Sequence, residues 1–154
     1  MTSPTSFADA GYLLKVQVRR QIPERYKGLL GPLEAPSGMP VSIEVYVTNV
    51  GYRPFPGGVL SLEVACYGVG AVPVTRYPVT DVKGQPITIP ALALQEAQPV
   101  ITTDVRFPIP GATWFLVSAN ARDDKPVLLT TDASAPGSTR ATLFFYVVPR
   151  IDLE

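Results

Sequence analysis

The sequence contains no histidine and only one cysteine, Cys66, among its 154 residues. Without histidine, the chain cannot build a Ser-His-Asp or Cys-His catalytic triad, and it lacks the commonest ligand of zinc and copper sites. A single cysteine excludes an intrachain disulfide, so cysteine usage does not indicate a redox compartment. Cys66 lies in an apolar strand pattern, which favours packing over nucleophilic chemistry. Since no glycine loop with a lysine is present to hold a phosphate, we expect neither an enzyme nor a bound cofactor.

Charged residues are also scarce, at 17% of the chain against about 25% in ordinary soluble domains. Thirteen Lys and Arg balance thirteen Asp and Glu, so no net field attracts phosphates or anionic lipid. No basic segment leads into an apolar one at the N-terminus, and no apolar run approaches the about 20 residues of a membrane span. We therefore expect an untargeted chain with no nucleic acid partner and no membrane association. Because 46% of the residues are hydrophobic, its surface should be unusually apolar.

Seventeen prolines and twelve glycines divide the chain into short segments in which apolar and polar residues alternate. This period of two is typical of half-buried strands and nearly excludes long helices. It predicts strands over residues 12–20, 41–50, 59–66, 72–79, 100–107, 113–121, 127–131 and 140–148. Residues 22–40 form an irregular Pro/Gly-rich insertion after the first strand, with room for one helical turn, and 87–100 stay irregular. The pattern predicts one all-β domain over 1–154, an immunoglobulin-like antiparallel β-sandwich of seven or eight strands with a flexible N-terminal arm at 1–11.

Three motifs between residues 41 and 124 resemble the CARDB group of bacterial and archaeal immunoglobulin-like domains. The segment 45–51 (VYVTNVG) is similar to the strand ending in Asn-x-Gly that opens such domains. The segment 89–92 (IPAL) is similar to the Ile-Pro-x-Leu motif that leads into their next strand. Pro-Gly at 110–111, which precedes WFLV, is similar to the motif at which their penultimate strand begins. Such domains are usually modules of large surface or secreted proteins. The insertion 22–40 departs from the pattern, as does Glu96, which stands where the family often has glycine. The resemblance implies a fold and supplies no binding residue.

Two sets of acidic residues have the side chains that a catalytic carboxylate pair or a calcium site would need. Glu44 and Glu63 fall on outward strand positions and can be drawn as a glycosidase-like carboxylate pair. Solvated strand carboxylates are the stronger interpretation, because nothing in the sequence marks a raised pKa. Asp123, Asp124 and Asp132 border one loop and supply oxygen atoms suited to calcium. A polar turn explains them better, so we predict no metal site.

The strongest functional signal is a last strand that is apolar on both faces. Leu143, Phe145 and Val147 are expected to fill the core, which leaves Phe144 and Tyr146 for a subunit or partner interface unless the insertion covers them. The loop with Tyr52, Arg53 and Phe55 also carries residue types that are enriched at contact sites.

These features favour a non-enzymatic structural protein that forms a homo-oligomer, with a trimer favoured. In profile it is similar to the capsid decoration (cement) proteins of tailed phages, which implies a capsid lattice as partner and a location on the virion surface or in the cytoplasm of the producing cell. The alternative is an adhesion or carbohydrate-binding module of a larger extracellular surface protein. Scarce asparagine and abundant loop proline are typical of thermophilic proteins, although genome composition bias produces the same pattern.

Overall fold

The computed structural model describes residues 11–21, 24–26, 28–31, 33–80, 83–132 and 134–149. Within these ranges the chain forms one 3₁₀ turn, Glu24–Tyr26, and ten strands. In chain order the strands are β1 (Tyr12–Gln21), β2 (Glu34–Pro36), β3 (Pro40–Asn49), β4 (Gly58–Gly68), β5 (Thr75–Val79), β6 (Ile87–Ile89), β7 (Ala97–Arg106), β8 (Gly111–Ala121), β9 (Val127–Thr130) and β10 (Ala141–Val148). In the described part of the chain, no helix is long and apolar enough to cross a bilayer.

The strands form two sheets. A four-stranded sheet has the order β7-β3-β1-β9, and a six-stranded sheet has the order β2-β10-β8-β4-β5, with β6 also paired to β4. Pairing is antiparallel except for β1 with β9 and β2 with β10. The pairs β3–β7 and β10–β8–β4 correspond to the B–E and G–F–C neighbours of immunoglobulin sandwiches. The predicted all-β, immunoglobulin-like sandwich is confirmed, with the short β2 and β6 as additions in segments that were expected to be irregular.

The core lies between the sheets and is filled by the inward residues that the alternation predicts. Phe115 stands at its centre, in edge-to-face contact with Phe107 and Phe145 at ring-centroid distances of 6.2 Å and 5.4 Å. Cys66 is buried here as a free thiol. Burial raises the pKa of this thiol, against a smaller opposite effect of Thr113. The inert packing role expected for Cys66 therefore fits its position.

The described part of the insertion leaves Tyr146 of the last strand half exposed, although its Leu33 lines a small cavity with Phe144. The same part adds β2 as an edge strand beside β10, with Glu34 opposite Tyr146. Gly31 fixes this segment, because its carbonyl accepts a hydrogen bond from the Arg20 guanidinium and its amide donates to Glu34 Oε1 at 2.6 Å. Within the described residues, the self-covering alternative does not hold for Tyr146.

The strands at the ends of the two sheet orders, β2, β5, β7 and β9, are poor templates for further strand pairing. Proline interrupts the edge strands β2, β5 and β7 at Pro36, Pro78 and Pro99. The free side of β9 is occupied, because Leu129 and Ser138 exchange two backbone hydrogen bonds of 2.6 Å and 2.9 Å. Short, proline-bearing or covered edges oppose edge-to-edge association. A contact between copies of this chain is therefore expected to use a face or an end of the sandwich.

Candidate functional site

The two outer faces of the sandwich differ in chemistry. The four-stranded sheet presents a polar outer face, with Lys15, Gln17, Arg19, Ser42, Glu44 and Thr48. Its one aromatic ring, Tyr46, lies under the guanidinium of Arg19 at 4.8 Å from the ring centroid. A strand face of this composition is stable in water without a partner.

The six-stranded sheet presents an aromatic outer face, which we define by Trp114 and Leu116 of β8 with Phe144 and Tyr146 of β10. Phe144 pairs directly with Trp114 in the β8–β10 register, and their rings lie 5.0 Å apart at an interplanar angle of 59°. Tyr146 is 49% exposed. Ala65, opposite Trp114 on β4, is fully buried although its position points outward, because large neighbouring rings shield it. The chain's only tryptophan thus stands at the centre of this face.

A shallow polar cleft of about 360 Å³ borders the aromatic face on the side where β10 begins. Glu63 and Arg76 lie in it as an ion pair with a 2.5 Å N–O distance. Ser118, Thr142 and Arg140 complete its polar lining. The carboxylate and the guanidinium of the pair compensate each other, so the remaining charge of this lining is that of Arg140.

The interface residues predicted from the sequence fall into two separate groups. Phe144 and Tyr146 lie on the aromatic face, where Tyr146 pairs with Ala112 near the start of β8. Tyr52 and Arg53 belong to the loop before β4, which begins opposite Ala121 at the other end of β8. Nine strand residues separate these positions, roughly 30 Å. One flat contact cannot contain both groups.

Phe55 is corrected from an exposed contact residue to a core residue. It is 1% exposed, and its ring packs edge-to-face on Tyr12 at 5.2 Å. An isolated bridge to Leu92, with hydrogen bonds of 2.8 Å and 2.9 Å, holds its backbone. The flanking prolines interrupt the alternation of apolar and polar residues that would have predicted an inward side chain at this position. Tyr52, by contrast, is 72% exposed.

The loop with Tyr52 depends on Asn49, the asparagine of the Asn-x-Gly motif. Asn49 is fully buried. Its side-chain amide donates to the carbonyls of Arg53 (2.9 Å) and Leu92 (3.2 Å), and its side-chain oxygen accepts from the amide of Gly51 (3.1 Å). One side chain therefore joins two loops at this end of the sandwich.

The acidic residues do not form the sites drawn for them. Glu44 and Glu63 lie on the outer faces of opposite sheets, so they cannot act on one bond as a carboxylate pair. Asp123 accepts a 2.5 Å hydrogen bond from the Tyr12 hydroxyl, which is the main cause of its lowered pKa. Asp132 accepts from the amide and hydroxyl of Ser134 at 3.0 Å. Across the described residues, no group of three acidic, cysteine or histidine side chains is placed to hold a metal ion.

A second cleft, of about 560 Å³, follows the open seam between the edge strands β5 and β7. Tyr77 closes it at one point, because its hydroxyl donates to the carbonyl of Arg106 at 2.7 Å across the two sheets. Burial raises the pKa of Tyr77 to about 12. The side chains lining this cleft include no nucleophile with an activating base.

The chain is similar to several solved structures. The chain matches the CARDB domain of a Pyrococcus furiosus protein, solved in complex with di-metal ions, at 16% identity over 88% of this chain and 87% of that one, with a TM-score of 0.46. The chain is an immunoglobulin-like sandwich similar to a CARDB domain. This is the group of domains that the three sequence motifs resemble. No protein-family model and no curated relative matches the sequence.

Two further similar structures are β-glucosidases from Listeria innocua, a mutant in complex with laminaribiose and an enzyme in complex with isofagomine. Identity is 10% and 11% over 90% and 91% of this chain, and both TM-scores are 0.45. The chain corresponds to only 16% and 17% of the β-glucosidase lengths. At these identities the likeness concerns the fold, and no residue role is transferred.

Proposed function

We propose that this immunoglobulin-like domain is a non-enzymatic structural module that assembles with other copies of itself through the aromatic face of its six-stranded sheet. The observation that carries the proposal is the contrast between the two outer faces. Trp114, Phe144 and Tyr146 meet solvent on one, whereas charged and hydroxyl side chains cover the other. Clustered aromatic rings are typical of the central part of protein interfaces.

The aromatic face is the centre of a larger surface. Its four residues lie on two strands about 4.8 Å apart, so a contact that reaches the about 1,000 Å² expected of a biological interface would also include the polar border and the outer residues of β4. A flat face pairs with itself by two-fold rotation, so its geometry favours a dimer over the trimer predicted from composition.

Charge supports a second copy as the occupant. A two-fold contact brings like groups of the two copies together, and excess charge of one sign would repel. Trp114, Leu116, Phe144 and Tyr146 are uncharged, and Glu63 pairs with Arg76 at the border. The charges that remain around the face, Arg140 and Glu34, are of opposite sign. Proline in β2, β5 and β7 disfavours strand addition at these edges as a competing mode.

Light scattering after size-exclusion chromatography tests the proposal with two matched variants. Tyr146→Ser removes a half-exposed ring from the aromatic face, and Tyr52→Ser makes the same change on the opposite end of the sandwich. We expect the average mass of the wild type to rise with protein concentration. Tyr146→Ser should raise the dissociation constant of the complex by about 30-fold or more, as for a hot spot of about 2 kcal/mol. Tyr52→Ser should match the wild type. Equal behaviour of the two variants would contradict the assignment of the contact to this face.

Carbohydrate binding is a second candidate, favoured by the polar cleft beside the aromatic face. Glu63, Arg76, Ser118 and Thr142 offer donors and acceptors for sugar hydroxyls. Against it, the rings of Trp114 and Phe144 pack on each other at a tilt and do not form a flat stacking platform. Titration with neutral disaccharides such as cellobiose, followed by amide chemical shifts, decides between them. Saturable shifts confined to the cleft would favour the sugar-binding module.

The self-assembling module fits two settings, a capsid decoration protein on a virion lattice and a domain of a larger surface protein. Both would use the same face. Immunodetection of the native protein in purified virions and in cell-envelope fractions distinguishes these settings.

A further inference from the structure

The polar cleft beside the aromatic face has an apolar floor between polar walls. Leu116 of β8 forms the floor, and it pairs with Glu63 of β4 on one side and with Thr142 of β10 on the other. Arg140 directly precedes β10 and stands beside Ser118, one position beyond the pair of Ala141 with Val117. The lining therefore combines an apolar strip with hydroxyl groups, a carboxylate and a guanidinium.

The guanidinium of Arg140 is available to a ligand. Among the described residues it has no hydrogen-bond or ion-pair partner, and only the backbone amide of Arg140 is bonded, to Ser138 Oγ at 3.5 Å. Arg140 also lines a second, smaller cleft of about 190 Å³ that includes Thr130, Thr131 and Ser138. An arginine between two recesses lined by hydroxyl groups can offer its fork of donors to the carboxylate of a ligand.

The ion pair in the polar cleft limits the charge of the ligand. Arg76 donates from Nε to Glu63 Oε1, and its two terminal nitrogens have no partner in the described part of the chain. Two guanidinium groups and one carboxylate give this lining a net of one positive charge. A ligand with one negative charge is therefore attracted, whereas a dense polyanion would also meet the Glu63 carboxylate. Because an ionised carboxylate only accepts hydrogen bonds, Glu63 also requires donors on the ligand.

We propose that the polar cleft binds a saccharide that carries a carboxylate, such as a glucuronic acid unit. The carboxylate lies on Arg140, the sugar hydroxyls bond to Thr142 and Glu63, and the C–H face of the ring lies on Leu116. The cleft volume of about 360 Å³ is near the lower end of the about 300 to 1,000 Å³ of small-molecule sites, which suits a short saccharide. The sugar in this inference rests on the carbohydrate-binding candidate above, whereas the preference for a carboxylate is new.

The inference also bears on self-assembly, because the cleft belongs to the polar border that a contact between two copies would include. A saccharide in the cleft then competes with the second copy. A ligand that binds only the separated chains shifts the equilibrium toward them by mass action. The preference between two sugars is unaffected, since both would bind the same form of the protein.

Amide chemical shifts during titration with two matched sugars test the inference. Methyl glucuronide and methyl glucoside differ only at C6, which is a carboxylate in the first and a hydroxymethyl group in the second. The wild type should bind the glucuronide about tenfold or more tightly than the glucoside, with saturable shifts around residues 63, 116–118 and 140–142. Arg140→Gln should bind the two sugars equally. Arg19→Gln removes the same charge from the outer face of the other sheet and should keep the wild-type preference.

Each other outcome overturns a stated part of the inference. Equal binding of the two sugars by the wild type would overturn the carboxylate preference and keep the carbohydrate-binding candidate. An equal loss of preference in Arg19→Gln and Arg140→Gln would overturn the assignment to Arg140, because net charge alone would then explain the effect. Acetate that binds as tightly as the glucuronide would overturn the saccharide. Saturable shifts with neither sugar would overturn the site, while self-assembly through the aromatic face would still depend on its own test by light scattering.

Discussion

Replacing Asn49 by alanine is expected to lower the stability of the domain, because it removes a buried side chain that joins two loops. Asn49 is fully buried, and its side chain makes three hydrogen bonds to backbone groups of Gly51, Arg53 and Leu92. The substitution leaves one amide and two carbonyls without these partners and opens a small cavity between two loops. The Leu92 carbonyl keeps the amide of Phe55 as its second partner.

The magnitude follows from the groups left unpaired. A buried donor or acceptor that loses its partner costs about 1 to 3 kcal/mol. The Gly51 amide is buried and loses its partner, whereas the Leu92 carbonyl still accepts the Phe55 amide at 2.8 Å and the half-exposed Arg53 carbonyl can recover a water molecule. Counting the Gly51 amide alone gives a loss of about 1 to 3 kcal/mol in the free energy of unfolding, or a fall in Tm of roughly 2 to 12 °C for a chain of this size.

Urea unfolding followed by circular dichroism measures this loss, at a concentration low enough to keep the chain monomeric. Asn49→Asp is a shape-matched comparison, because a carboxylate still accepts from Gly51 but cannot donate to the carbonyls of Arg53 and Leu92. It should lose at least as much stability as Asn49→Ala at neutral pH. Gln17→Ala, on the polar outer face, should stay within about 0.5 kcal/mol of the wild type. A loss below about 1 kcal/mol for Asn49→Ala would refute the assignment of Asn49 as the residue that joins the two loops.

Three further predictions concern the core, the seam and the acidic turns. Phe145→Ala should lower the free energy of unfolding by about 3 to 5 kcal/mol in urea melts at every protein concentration, because it empties the core beside Phe115; a loss below about 1 kcal/mol would contradict this packing. The pKa of Tyr77 is raised by burial to about 12 from 10.0, so its contribution to stability is complete below pH 10.0 and lost as the pH rises through about 12. The melting temperature of Tyr77→Phe should fall less steeply with rising pH over this range than that of the wild type. Equal slopes for the two proteins would exclude the effect. Chelators should leave Tm unchanged in calorimetry, whereas a shift of many degrees would reveal an ion held near Asp123 or Asp132.

The strand pattern could be predicted from the sequence because one face of most strands is buried. Val41 to Val47 alternate strictly with polar residues, and the structure places this segment in β3 with the expected side inward. The same reasoning separated Phe145 from Tyr146 on β10, since a period of two assigns neighbours to opposite faces. It failed for β2, whose three residues are ordered by pairing with β10 and carry no pattern of their own.

The candidate site was only partly predictable, because exposure depends on which segments pack over a strand. Phe144 and Tyr146 were selected correctly as outward residues, but nothing in the sequence excluded cover by the insertion. Phe55 was misplaced because its burial depends on Tyr12, which is distant in sequence. Val72 and Val74, which lie between β4 and β5, were assigned to a strand. Apolar residues next to β5 have the pattern of strand residues until the position of the hairpin turn is known.

The central claim, that copies meet through the aromatic face, is tested most directly by the fluorescence of the single tryptophan, Trp114. Diluting the wild-type protein from high micromolar to submicromolar concentration should shift the Trp114 emission to longer wavelength and increase its quenching by acrylamide, because dissociation exposes the indole ring. The Tyr146→Ser variant should already show the exposed signal at high concentration and change little on dilution. Emission and quenching of the wild type that stay constant while light scattering records dissociation would contradict the claim, since the copies would then meet through another surface.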